Sequence, residues 1–285
     1  MSALWMLAAS LVFASMGVCV KLGAAKFSVA ELVFYRGLIS CLLLFVYIRA
    51  SGRSVATPHW RAHLTRGAAG FIALVTYFAA ISLIPLATAV TLGYTSPLFL
   101  TLMLAFWLRE PVRPLIFLTI VTGLAGVALL LQPSLNSGQL SGALLALGSG
   151  VTSAIAYLNV RRLGELGEPE WRTVFYFSLV VALGGLAWAL ASLPFHSIDA
   201  EGAWLLAGVG GFGGLGQLCM TRAYMHGRTV VTASLSYSAV IFASVFGIWI
   251  WDERLPLIAW LGIAVIVAGG ALTSALARAA PVEQD

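Results

Sequence analysis

The sequence predicts an all-α polytopic membrane protein: ten transmembrane helices as two inverted five-helix repeats around a central cavity, both termini cytoplasmic. Three observations predict it. The 285 residues are 60% hydrophobic and 9% charged, with a mean hydropathy of +0.97, whereas a globular domain carries about 25% charge. The apolar residues fall into ten runs, most of them near the roughly 20 residues that cross a bilayer as a helix. The second five runs follow the order of the first five, with several residues matching at equivalent places.

Taken in order, the runs are 3–20, 29–48, 67–83, 86–108, 114–132, 140–160, 173–193, 202–221, 229–251 and 256–277. The first lacks the basic flank of a signal peptide and reads as an uncleaved membrane helix. Pro85, Pro114 and Pro256 stand at helix starts, where a missing N–H costs little. The stretch from Gln132 to Gly138 has turn composition and divides the chain into 1–137 and 138–285. With a cytoplasmic N-terminus, twelve of the 16 Lys and Arg, from Arg49 to Arg278, fall on inner loops and helix ends. Lys21, Lys26 and Arg254 fall outside, and Arg36 lies within a span. This is the bias that basic residues show toward the cytoplasm. It also accounts for the net charge of +5 without nucleic acid as a partner.

The halves match through polar as well as apolar residues. Val33-Phe34-Tyr35 meets Val174-Phe175-Tyr176, Tyr94 meets Tyr237, Phe99 meets Phe242, and Glu110 meets Glu253. An odd number of spans per half makes the halves enter the membrane in opposite directions. Such inverted repeats place a binding site near the midplane and rock about it.

LGYTSPLF (92–99) with WLREPVRP (107–114), and LSYSAVIF (235–242) with WDERLP (251–256), resemble the paired signatures of the EamA domain of the drug/metabolite transporter superfamily. FYRGLIS (34–40) resembles the family's second helix. The resemblance covers nearly the whole chain. It implies a secondary transporter of the bacterial inner membrane, and the aromatic-rich spans are most similar to those of amino-acid exporters, aromatic ones included. The second half departs from the pattern. Val240 stands where the first half has Pro97, and Phe177 where it has Arg36, so the halves are expected to move differently.

Hydroxyls have no reason to face lipid. Thr91, Tyr94, Thr95 and Leu98 share one face of a continuous helix, as do Ser234, Tyr237, Ser238 and Ile241. These are read as two cavity walls, with helix-to-helix hydrogen bonding as the competing reading. Tyr77, Tyr157 and Gln217 join the expected substrate-binding set. Tyrosine rings suit a substrate with an apolar body and a small polar head, such as a zwitterionic amino acid. Gly93 and Pro97 are the expected hinge, because Pro97 removes a backbone bond to Gly93. Arg36 is the intramembrane charge, read either as functional or as snorkelling and pairing near Glu31.

Other classes find less support. The first span has no acid of the kind small multidrug carriers use. A nucleotide sugar would need buried cations, for which Arg36 and Lys21 are the candidates, and a xenobiotic remains the other alternative cargo. No base accompanies the hydroxyls at membrane depth, so no catalytic residue is expected. Gly208–Gly213 spells G-x-G-x-x-G inside an apolar span, where glycines serve close packing instead of a dinucleotide. His59, His63, His196 and His226 sit in loops or near helix ends without companion ligands, so no metal or cofactor is expected. The expectation is a monomeric exporter of small, mainly neutral metabolites, with a small-molecule substrate and the lipid bilayer as its partners.

Overall fold

The structure, a computed structural model, describes residues 2–84, 86–132, 139–192, 195–252 and 254–278. The expectations placed on Pro85, on the 133–138 turn and on Glu253 lie outside the described residues. The regular structure is helical throughout: α1 (Ser2–Gly23), α2 (Val29–Ala50), α3 (Trp60–Leu83), α4 (Leu86–Gly93) and α5 (Ser96–Leu102), which runs into a π-helical turn (Met103–Trp107). Then follow α6 (Pro114–Leu131), α7 (Leu140–Glu165), α8 (Glu170–Ala191), α9 (Ala200–His226), α10 (Thr229–Leu235), α11 (Ser238–Trp251) and α12 (Leu257–Arg278).

Among the described residues, nine stretches are long and apolar enough to cross a membrane. The third expected run, 67–83, is not among them and lies within α3. That helix begins at Trp60 and takes in Arg61, His63 and Arg66, which lower its hydropathy without ending it. The outer surface is apolar: Leu257 is 87% exposed, and Phe106 and Trp204 are 80% exposed. A water-facing surface rarely shows large apolar patches, whereas hydrocarbon asks for them.

Helices pack in pairs: α1 with α9, α2 with α8, α3 with α7, and α6 with α12. Exchanging the first five spans for the second five maps this set onto itself. The α1–α9 pair becomes α7–α3, and the other two pairs map onto themselves. Reciprocal glycines bring α2 and α8 into backbone contact. A Cβ on Gly37 would strike the backbone at Val181 and Ala182, and one on Gly185 would lie 2.8 Å from the Phe34 backbone. Small residues of this kind let membrane helices approach closely. The glycines of 208–214 do the same for α9, with Gly208 against Cys19 of α1 and Gly214 against Ser40 of α2.

The fourth and ninth expected spans are each broken in the middle, at Tyr94-Thr95 and at Ser236-Tyr237. A break leaves carbonyls without their helical donors. Around the breaks, Thr95 Oγ1 donates to the Leu92 carbonyl at 2.5 Å and Ser236 Oγ to Ala233 at 2.7 Å, beside the backbone N–H groups of the same two residues, and Ser238 Oγ donates to Leu235 at 2.7 Å. Pro97 stands in the first turn of α5, where its missing N–H is no loss. The second break forms with Val240 at the matched place, without a proline. Beyond the breaks, Arg109 (φ 55°) and Asp252 (φ 51°) turn left-handed at matched positions.

The bundle ends carry the charged contacts. Where α1 meets α2, Lys26 Nζ lies 2.7 Å from both Asp199 and Glu201. At that end Glu31 accepts from the Ser28 backbone N–H at 2.8 Å and the His196 backbone N–H at 2.7 Å. At the far end of α2, Glu168 accepts from Thr57 and from Arg172 at 2.9 Å, with His63 Nε2 at 3.2 Å. Arg161 pairs there with Glu110 at 2.7 Å.

Candidate functional site

The packing leaves a cavity of about 320 Å³ inside the bundle. Met6, Ser10, Phe13 and Met16 of α1, Arg36 of α2, and Arg66, Gly70 and Tyr77 of α3 line one part of it. Gly93, Tyr94 and Ser96 around the first break face Ser149, Ser153 and Tyr157 of α7. Phe177 of α8, Gln217 and Met220 of α9, and Ser236 and Ala239 at the second break close the remainder. Among the described residues, none from α6 or α12 lines it.

The expected residues divide. Tyr77, Tyr94, Tyr157, Gln217, Gly93 and Arg36 line the cavity. Thr91, Thr95, Ser234, Tyr237, Ser238 and Pro97 do not. Thr95 and Ser238 are the hydroxyls that cap the broken helices. Ser234 bonds Thr273 at 3.2 Å, which ties α10 to α12. Tyr237 is 1% exposed, its hydroxyl 3.4 Å from the Ile120 carbonyl and its ring packed over Gly123. Gly93 lies under Tyr77, where a Cβ would meet the ring at 3.3 Å. Lys21 lies outside the cavity with its ammonium 3.8 Å from the Trp251 ring centre.

Arg36 has no pairing with Glu31. That carboxylate is taken up by Ser28 and His196, as the capping box of α2 and a clasp to the α8–α9 loop. Arg36 instead turns inward, its guanidinium 5.8 Å from the Phe177 ring centre. Arg66 meets the same ring at 4.2 Å and is only 3% exposed. Reading apolar runs alone missed Arg66, because it was assigned to a loop-side helix end. A signal for it was present: both arginines precede a glycine, Gly37 and Gly67, and both glycines sit against α8, the latter with a Cβ position 2.7 Å from Val180. The glycine seats the helix on α8, and the arginine beside it reaches Phe177 of that same helix.

The arrangement is chemically specific. An aromatic and apolar hollow carries two guanidiniums, three phenols, several serines and one carboxamide, and none of its lining residues is acidic. Among the described residues no group of three or more His, Cys, Asp and Glu is placed to hold a metal ion. Such a lining can bind an amphipathic molecule; it contains no nucleophile with an adjacent base.

Known proteins match the chain along its length. A solved crystal structure superposes with a TM-score of 0.86 over 97% of both chains at 22% identity, which identifies the fold. A pseudopaline exporter of Pseudomonas aeruginosa is 30% identical over 264 residues, covering 93% of this chain and 90% of its own. A transporter of Helicobacter pylori is 30% identical over 274 residues, covering 93% and 92%. A riboflavin transporter of Vibrio cholerae is 28% identical over 278 residues, covering 93% and 90%. The EamA-like transporter family matches twice, at residues 1–132 and again at 140–275. By that double match and these full-length relatives, the chain is a membrane transporter belonging to the EamA-like transporter family.

Proposed function

We propose that the protein is a secondary carrier of the bacterial inner membrane that exports a small organic metabolite by alternating access. In this reading, residues 1–137 and 138–285 are two inverted five-helix halves, α3 is a tenth span, and both termini are cytoplasmic. The observation that carries the reading is the cavity of about 320 Å³, built by residues of both halves and placed beside two broken helices. Its size falls at the small end of ligand sites. The exchange symmetry of the helix pairs supports two equivalent halves. The breaks at Tyr94-Thr95 and Ser236-Tyr237 are the hinges, because backbone there is already released from the helical ladder.

Met6, Phe13, Tyr77, Tyr94 and Tyr157 favour a cargo with a flat apolar body. Aromatic amino acids are the first cargo to test. The names of the relatives support export and small organic cargo; they name no amino acid. Energy coupling follows the substrate gradient, since the cavity offers no carboxylate or histidine for a proton route. The protein reconstituted in liposomes and preloaded with an unlabelled small organic solute, from a panel that begins with aromatic amino acids, is expected to take up the labelled form of at least one member by saturable counterflow. Uptake equal to that of empty vesicles for every small organic solute tested would overturn the carrier reading, and non-saturable uptake would replace it with a channel.

A further inference from the structure

We propose that the cavity selects an organic dianion, its two negative charges held by Arg36 and Arg66 and its apolar body by the tyrosines. The inference rests on the carrier reading and names its substrate class. Arg66 is 3% exposed, and its Nε, like that of Arg36, is buried with no hydrogen-bond partner among the described residues. Neither guanidinium has an acidic partner there; each faces the Phe177 ring, and the Tyr157 phenol is close enough to interact with both. A buried charge is costly unless paired, so two unpaired ones around one ring mark a place where the partner arrives from outside the protein.

The site is built to keep both arginines there. A Cβ at Gly70 would fall on Nη1 of Arg66, and one at Gly213 would lie 3.2 Å from Nε of Arg36. The one nearby carboxylate on α2, Glu31, is committed to Ser28 and His196. A zwitterion would leave its ammonium without a counter-charge and the lining with its full positive charge. A dicarboxylate or a phosphate monoester matches both, and each presents oxygens that planar guanidiniums grip in pairs.

The test measures thermal unfolding of the purified protein in neutral detergent with phenylsuccinate, phenyl phosphate, phenylalanine or phosphatidylglycerol. At least one soluble dianion is expected to raise the midpoint at a concentration about tenfold or more below that needed by phenylalanine. R36M and R66M are expected to lose that effect while unfolding, without ligand, no lower than wild type, because each removes a charge with no acidic partner, buried at Arg66 and half-buried at Arg36. R66K is expected to keep a weakened preference. Equal or better stabilisation by phenylalanine overturns the proposal, as does no shift with either dianion. Ligand-free R36M and R66M that both unfold below wild type overturn it too, since the arginines would then hold the fold. A shift produced by phosphatidylglycerol alone would make the pair a lipid headgroup site and overturn it as well. In liposomes, counterflow of phenylalanine but not of phenylsuccinate or phenyl phosphate sinks this inference and leaves the carrier standing; no counterflow of any solute sinks the carrier itself.

Discussion

Tyr94 and Tyr237 occupy matched places in the two halves, and their ring centres lie 6.0 Å apart. Their surroundings differ. Tyr94 lines the cavity, whereas Tyr237 is sealed between α6 and α12 with Ile120, Val127 and Ile266 around it. Arg36 and Phe177 are matched in the same way, and there the charge of one half lies over the ring of the other. The first half brings both cavity arginines and two of the three cavity tyrosines; the second brings Tyr157, Phe177, Gln217 and Met220. The family matches the chain twice, at 1–132 and at 140–275. Different residues at matched positions give the cavity one charged side and one softer side.

The comparison breaks most sharply if the two tyrosines respond alike. Y237A is expected to cost about 3–5 kcal/mol of stability, the usual loss for a large aromatic cut from a packed site. Y94A is expected to lose transport by about tenfold or more while staying folded, because its ring borders open space. Y237F should cost about 1 kcal/mol or less, since the hydroxyl contact at 3.4 Å is long. Proteolytic resistance in detergent and counterflow in liposomes separate the two outcomes. A Y94A protein that unfolds like Y237A, or a Y237A protein that folds normally and fails to transport, would exchange the roles given to them.

A smaller effect tests how the halves are tied at one end. Burial pushes the Glu168 carboxyl up, but hydrogen bonds from Thr57 and Arg172, the nearby His63 ring and the Arg172 charge outweigh it and hold it below the ordinary carboxylate range. Thr57 and His63 belong to the first half, so this carboxylate joins the two. A depressed carboxyl contributes stability that is present at neutral pH. That contribution is lost as pH falls below the unfolded value near 4.3 and through the lower folded one. E168Q is expected to cost on the order of 2 kcal/mol at pH 7 and to remove this acid-side slope. Wild-type and E168Q midpoints that run parallel from pH 7 down to pH 3 would show that the tie contributes nothing through its charge.

Much of this was legible in the sequence, for reasons that particular residues make plain. Apolar run length reports lipid exposure directly, so helices such as α2 and α8 appear nearly where composition places them. The same criterion cut α3 at its charges and hid Arg66, because it treats a charge as an end when the helix can bury it against Phe177. The shared-face argument for Thr91, Tyr94, Thr95 and Leu98 assumed one unbroken helix. The chain leaves the helix at Tyr94-Thr95, so positions before and after the break no longer keep that register. Tyr77, Tyr157 and Gln217, chosen only for being too polar for lipid, all line the cavity. Polarity at depth survives a break in the helix; periodicity does not.

Pro97 gives the smallest and most discriminating test of whether the halves hinge alike. A proline inside a span is ordinarily taken to cause a kink, since it forfeits a backbone bond and crowds the preceding turn. Here it follows the break and sits in the first turn of α5, where no N–H partner is available in any case. The second half breaks at nearly the same place with Val240 instead, and its carbonyls are served by Ser236 and Ser238. Hydroxyl-to-carbonyl bonds are common to both breaks, whereas a proline stands at only one. P97A is expected to keep transport within about twofold of wild type and stability within about 1 kcal/mol. The double variant S236A/S238A, which removes the hydroxyls where no proline stands, is expected to slow transport more than P97A does. If P97A instead abolishes counterflow while S236A/S238A leaves it intact, the first break depends on its proline after all, and the two hinges work by different physics.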